Sequence, residues 1–199
     1  TSALVTFHPH PSQILRSQPL AFLTTWHEKK EILGRLGLDL LVLLRFNQTL
    51  AAISREDFLE RLRVGLEFQE LVVGEGFSFG KDRQGTIDWL GRSQKRFGFR
   101  LRVVPLIEVK GERVSSSLIR EWLSRGEIAK VRRALGRCPT LVGKVVSGKM
   151  RGRELGFPTA NLVSYPGKLL PAPGVYAARV HLKGRVYRGM VNIGTRPTF

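Results

Sequence analysis

Short apolar runs alternate with stretches of helical periodicity along the N-terminal part of the chain. Ala3-Leu-Val-Thr-Phe7 predicts a short buried strand. Thr25-Trp-His-Glu28 has the form of a capping box, and Ile32, Leu33 and Leu36 continue an apolar helix face as far as Gly37. Leu40 to Phe46 predicts a second buried strand. Ser54-Arg-Glu-Asp57 starts a helix with Phe58, Leu59 and Leu62 on one side, and Leu71-Val72-Val73 predicts a third strand ending at Gly74. After a loop from Gly74 to Gly85, Thr86 caps a helix that holds Ile87, Trp89 and Leu90 and is stopped by Gly98. Leu101 to Ile107 predicts a fourth strand. Ser117 opens a helix through Trp122 and Leu123 to Gly126, and Ile128 to Leu135 forms one more. Short buried strands alternating with helices imply an α/β, doubly wound parallel sheet.

The pattern changes after Gly136. Arg137-Cys-Pro-Thr140 reads as a linker, and helix signals vanish beyond it. Val142 to Val146, Val175 to Leu182 and Val186 to Ile193 are strand-like, with Lys183-Gly184 as a hairpin turn. The expected organisation is therefore an α/β domain over residues 1–136, a linker at 137–140 and a partial all-β domain over residues 141–199. The β part is short for a barrel without further strands.

Composition narrows the partners. The 199 residues carry 33 Lys+Arg against 16 Asp+Glu, a formal net charge of +17, and such a surface attracts polyanions. The cations are scattered over predicted helices, as in Arg61-Leu-Arg63 and Arg132-Arg133, so most read as a solvated surface. A hydrophobic content of 42% supports a packed core. Cys138 is the only cysteine, which excludes an internal disulfide and fits a reducing cytoplasm. The Leu38 to Leu44 run is interrupted by Asp39 and too short to span a bilayer, so no membrane partner is expected. The chain opens on Thr1 and stops at Phe199 directly after a strand-like hairpin, and both ends read as cut.

Four segments can carry chemistry. Gly148-Lys-Met-Arg-Gly-Arg-Glu-Leu-Gly-Phe-Pro-Thr-Ala-Asn161 joins three glycines and three cations to two oxygen ligands. Glycines allow close backbone approach and positive φ, and cations with free N–H groups suit an oligophosphate. Thr159 and Asn161 offer hard neutral oxygens of the kind that share Mg2+ with phosphates. Two apart, they lie on one face of an extended strand. The competing reading is a glycine-rich hairpin with polar residues facing outward. Val114-Ser115-Ser116-Ser117-Leu-Ile-Arg120 stands before a helix, whose N-terminus binds anions. With Ser117 as N-cap, Arg120 falls in the first turn, where a cation opposes the helix dipole unless it reaches an anion. An ordinary serine cap is the alternative. In Thr6-Phe-His-Pro-His-Pro11, His8 and His10 have no partners at metal spacings, so zinc is rejected. A nucleotide contact from His10 and a rigid proline-fixed turn remain open. The loop after the third strand holds Phe77 and Phe79, which either flank an aromatic ligand or close the core.

Taken together, TFHPHP (Thr6 to Pro11), VVGEGFSFGK (Val72 to Lys81), VSSSLIR (Val114 to Arg120), LGR (Leu135 to Arg137), RGRELGFPTAN (Arg151 to Asn161), LPAPGVYA (Leu170 to Ala177) and NIGTRPTF (Asn192 to Phe199) resemble the bacterial bifunctional riboflavin kinase/FAD synthetase family. The stretches occur in the family's order over the whole chain. The resemblance implies a Rossmann-like nucleotidyltransferase domain that adenylylates FMN to FAD, followed by a riboflavin kinase-like β-barrel that phosphorylates riboflavin to FMN, both using Mg2+ and ATP. It implies that His10, Ser115, Ser116, Ser117 and Arg120 serve ATP in the first domain. In the second, it implies ATP binding by Gly148, Lys149, Arg153, Gly156, Pro158, Thr159 and Asn161, with Thr159 and Asn161 as the metal ligands.

The family opens with a histidine-bearing GxFDGxHxGH-type loop, and nothing like it precedes Thr1. Its kinase domain continues to a catalytic glutamate, expected beyond Phe199. No catalytic residue is therefore expected within this chain, and the fragment is expected to be inactive alone. Gly76 stands where the family commonly has an acidic or amide side chain. A rival reading from charge alone is a basic nucleic-acid-binding protein on a nucleotidyltransferase-like scaffold. The aromatics do not form an obvious stacking platform, which argues against nucleic acid as a partner.

Overall fold

The computed structural model describes residues 1–15, 21–148, 156 and 159–194. Contacts divide the chain into two units, Thr1–Pro19 with Leu38–Arg113, and Leu20–Gly37 with Val114–Phe199.

In the first unit, β1 (Ala3–His8) runs parallel to β2 (Leu40–Arg45), in a register from Ala3↔Leu40 to His8↔Arg45. Two short helices, α1 (Pro11–Leu15) and α3 (Gln48–Ala51), follow these strands. Pro11 opens α1 at the position where its missing N–H costs nothing. Helix α4 (Arg55–Leu66) is capped by Ser54, whose side chain accepts from Asp57 N. Strand β3 (Glu70–Gly74) lies parallel to β4 (Arg100–Val104). Helix α5 (Ile87–Phe97) joins them, capped by Thr86 and closed by Gly98 in the left-handed conformation. Leu59, Val73, Trp89, Leu90 and Phe99 form the core of this unit, and Phe79 packs against it.

The fourth strand is shorter than the apolar run predicted. It ends at Val104 because Pro105 has no N–H to continue the ladder. Leu106 N instead donates to Glu75 Oε2 at 3.2 Å. A two-residue hairpin, β5 (Glu108–Val109) with β6 (Glu112–Arg113), follows.

In the second unit, α2 (Trp26–Gly34) starts with the capping box read from Thr25 and Glu28. Its C-cap is Arg35, before the expected Gly37. Helices α6 (Ser116–Ser124) and α7 (Ile128–Leu135) bury Ile119, Trp122, Leu123 and Val131 as a second core, with Leu23 and Leu169 packed against it. Two antiparallel pairs follow. Strand β7 (Gly143–Val146) pairs with β8 (Asn161–Ser164), and β9 (Gly174–Leu182) with β10 (Arg185–Ile193). The turn between β9 and β10 is Lys183-Gly184, as read, with positive φ at both residues.

Candidate functional site

The N-cap of helix α6 lies two residues earlier than the sequence suggests. Ser115, extended at φ −135° and ψ 158°, is the N-cap, and its side chain accepts from Leu118 N at 3.2 Å. Three consecutive serines are chemically equal caps, so only backbone geometry chooses among them. The correction moves Arg120 from the first helical turn to the second. Ser116 and Ser117 are exposed, and no hydrogen bond engages their hydroxyls among the described residues. Among the described residues, two hydroxyls are thus unengaged at the positive end of a nine-residue helix.

Arg120 is half-buried, and its Nε donates to the carbonyl of Ala21 at 3.1 Å. Among the described residues no carboxylate lies within ion-pair distance of it. Among the described residues the guanidinium is thus tied by one nitrogen to backbone and has no carboxylate partner, one helical turn along from the serine-bearing start of α6.

His10, in the first unit, is exposed just beyond β1. Its Nδ1 lies 2.6 Å from Ser12 Oγ and accepts from Ser12 N at 3.2 Å, while its own N–H donates to Gln13 Oε1 at 3.0 Å. These local bonds build the turn into α1. Phe79 belongs to the core, 5.4 Å from Phe58 and 5.9 Å from Trp89 between ring centroids. Phe77 stacks on it at 5.6 Å and is partly exposed.

The second candidate cluster hangs on the β7–β8 pair. Val146 and Asn161 are register partners at the end of that ladder. Gly148 follows β7 directly, and Gly156 has φ +77°, the left-handed backbone that a glycine loop permits. Thr159 is exposed and precedes the strand, whereas Asn161 is its first residue. The strand expected to hold both therefore begins at the second of them. Lys149, Arg153 and Pro158 lie outside the described residues. Among the described residues no three His, Cys, Asp or Glu side chains gather as a metal site. Thr159 and Asn161 carry a hydroxyl and an amide oxygen, neutral oxygens of the kind that can share a metal with phosphate.

One buried pair escaped the sequence reading. Lys168 Nζ donates to Glu28 Oε2 at 2.7 Å and to Leu23 O at 2.8 Å, with side-chain exposures of 4% and 1% for the pair. Glu28 Oε2 also accepts from Thr25 N at 2.9 Å, and its Oε1 accepts from Val142 N at 3.1 Å. Burial pushes the Lys168 ammonium below the ordinary lysine range, an effect opposed by the bond to Glu28. The one hint in the sequence was a lysine sandwiched between Gly167 and the apolar Leu169-Leu170.

Fold and site define a class. The chain has a segment of parallel strand pairs and helices and a segment of antiparallel strand pairs, with a serine-rich terminus at helix α6. Residues 1–118 match the FAD synthetase family model and residues 135–199 match the riboflavin kinase family model; the chain belongs to the FAD synthetase family. Curated bifunctional riboflavin kinase/FMN adenylyltransferases are similar over nearly the whole chain. The Bacillus subtilis protein is 35% identical over 201 residues, the Pseudomonas fluorescens protein 35% over 198 and the Escherichia coli K12 protein 34% over 198. These alignments cover 98–100% of this chain, which spans 63% of the length of each relative. A crystal structure of a macrolide-efflux protein from Streptococcus pneumoniae superposes with a TM-score of 0.86 at 29% identity, covering 99% of this chain and 64% of that one. Among the described residues no helix is long and apolar enough to cross a membrane. The nucleic-acid reading gains no support from these similarities.

Proposed function

We propose that this chain serves flavin-cofactor synthesis in the cytoplasm, with ATP-dependent phosphorylation of riboflavin to FMN and adenylylation of FMN to FAD as the activities of the protein that carries it. The observation that carries the reading is the succession of two family matches, FAD synthetase and then riboflavin kinase, along one chain. The division proposed is a Rossmann-like adenylyltransferase domain over residues 1–136, a linker at 137–140 and a riboflavin kinase-like barrel over residues 141–199. The parallel pairs β1–β2 and β3–β4 support the first, and the antiparallel pairs β7–β8 and β9–β10 support the second.

In the kinase reaction the riboflavin 5′-hydroxyl attacks the γ-phosphorus of ATP, its proton leaves, and ADP departs. In the adenylyl transfer an FMN phosphate oxygen attacks the α-phosphorus of ATP, and pyrophosphate departs. Both depend on positioning and on neutralising phosphate charge. Ser116, Ser117 and Arg120 would hold ATP phosphates in the second reaction; His10, in the first unit, is a separate candidate for a nucleotide contact. Gly148, Lys149, Arg153, Gly156 and Pro158 would bind ATP in the first reaction. Thr159 and Asn161 would hold Mg2+, which when bound neutralises phosphate charge.

The test is calorimetric titration of the chain with Mg-ATP, with and without Asn161→Ala. Loss of a ligand to a charged group predicts affinity lower by roughly ten- to a hundredfold at one of two sites. Unchanged affinity, or unchanged riboflavin phosphorylation by the protein that carries the chain, would count against the magnesium role.

A further inference from the structure

Residues 21–23 form a short strap that ties together two parts of the chain far apart in sequence. Their carbonyls accept from different groups: Ala21 O from Arg120 Nε at 3.1 Å, Phe22 O from Leu169 N at 2.8 Å, and Leu23 O from Lys168 Nζ at 2.8 Å. Phe22 N donates in turn to Gly167 O at 2.7 Å, so Phe22 makes a parallel bridge with Lys168. Leu23 and Leu169 both pack on the core formed by α6 and α7. Lys168 is held in place by Glu28, which is fixed through Thr25 N and Val142 N.

Arg120 and Lys168 thus meet on alternate carbonyls of one strap. Arg120 lies just past the FAD synthetase match, two residues beyond its end at 118, and Lys168 lies within the riboflavin kinase match. An arginine side chain has four rotatable bonds and loses much entropy when fixed. One backbone acceptor at a defined place limits that freedom, and the place of Ala21 O is set by where Phe22 and Leu23 are held.

We propose that Lys168 is a positioning residue for Arg120: by anchoring the Ala21–Leu23 strap it sets the guanidinium at the serine-bearing end of α6, so that a residue of the kinase-matched segment tunes phosphate binding at the adenylyltransferase-type site. The proposal rests on the reading of Ser116, Ser117 and Arg120 as an ATP-phosphate site. Lys168 touches no substrate in this account. It acts through the strap.

The experiment has two readouts. The first is Mg-ATP affinity in an Asn161→Ala background, where the α6 site is the one left to titrate. Lys168→Met is expected to weaken binding about tenfold, a typical size for coupling through packed networks. In an Arg120→Ala background, Lys168→Met should cause no further loss. A lysine that merely stabilised the fold would act independently of Arg120, so additive losses, or unchanged affinity in the folded variant, would overturn the proposal. The second readout needs no ATP. The Arg120 Nε–H, observed by nitrogen-15 NMR, should exchange slowly with water in the wild type and about tenfold faster in Lys168→Met. Unchanged exchange overturns the proposal. If Arg120→Ala binds Mg-ATP as tightly as its parent, the phosphate role of Arg120 falls, while the Nε–H exchange still decides whether Lys168 positions it. Should Lys168→Met fail to fold with Glu28 left buried and unpaired, Glu28→Gln/Lys168→Met removes the orphaned charge and carries both measurements.

Discussion

Glu28 and Lys168, 140 residues apart, form an ion pair at 2.7 Å from which water is almost excluded. Each partner also bonds to backbone, Glu28 to Thr25 N and Val142 N, and Lys168 to Leu23 O. A buried pair contributes little net stability relative to apolar residues of the same shape, but breaking it strands a charge.

Glu28→Ala should therefore destabilise the chain by about 3–5 kcal/mol. It leaves the Lys168 ammonium buried, removes the carboxylate half of the capping box and orphans Val142 N. Urea unfolding followed by Trp fluorescence measures the change. A loss under about 1 kcal/mol would show the pair to be dispensable.

The three serines before α6 should separate by role. Ser115→Ala removes the cap on Leu118 N and should cost about 1 kcal/mol of stability. Ser117→Ala removes an exposed hydroxyl that caps nothing, so stability should hold within about 0.5 kcal/mol while Mg-ATP affinity falls. Thermal unfolding and titration on both variants check this; equal stability losses would contradict the assignment of Ser115 as the cap.

Alanine at two glycines should act with opposite sign. A Cβ on Gly143 would collide with the backbone carbonyl of Val163 across the β7–β8 ladder and lie 3.1 Å from Leu162 Cγ. Backbone on both sides cannot give way cheaply, so Gly143→Ala should cost about 1–3 kcal/mol and loosen the base of the segment that bears Asn161. Gly91 sits within α5 with open space around the built Cβ, so Gly91→Ala should gain about 0.5–1 kcal/mol. Denaturant midpoints for the two variants read the contrast.

Asp39 carries part of the acid dependence visible in the structure, beside Glu56, whose carboxyl the Arg55 side chain also holds below its ordinary value. Asp39 Oδ2 accepts from Ser2 N at 2.6 Å and from Ser2 Oγ at 3.0 Å, and the backbone bond chiefly holds the carboxyl below its ordinary value. A lowered folded-state pKa means that the contribution is present above the ordinary carboxylate value. It is lost as pH falls through the lower folded value. Asp39→Asn should thus be less stable than wild type at neutral pH and converge with it in strong acid. A gap that stayed constant down to pH about 2 would contradict the linkage.

Much of the local structure was legible without coordinates. The capping box of Thr25 and Glu28, the Thr86 cap with its Gly98 stop, the Lys183-Gly184 turn and the apolar strands β1, β2 and β3 are all decided within a few residues of chain. Short elements were not legible: α1, α3 and the β5–β6 hairpin are too brief for periodicity to register. The cap among Ser115, Ser116 and Ser117 was ambiguous because all three side chains can accept the same bond, and tertiary packing of Ile119 and Trp122 fixes which one does.

What the sequence determined by itself is the chemistry that can be offered: serines and an arginine at a helix start, and glycines with Thr159 and Asn161 around a β ladder. Residue type and spacing suffice for that, since caps, turns and loop glycines are local. What only the tertiary structure decided is which long-range partners those groups have. Glu28 looked like a capping residue and is also the counter-ion of Lys168; Arg120 looked free and is held by Ala21 O. The physical reason is that burial makes an unpaired charge or carbonyl costly, so partners must be found, and separations of 99 and 140 residues leave no trace in local pattern.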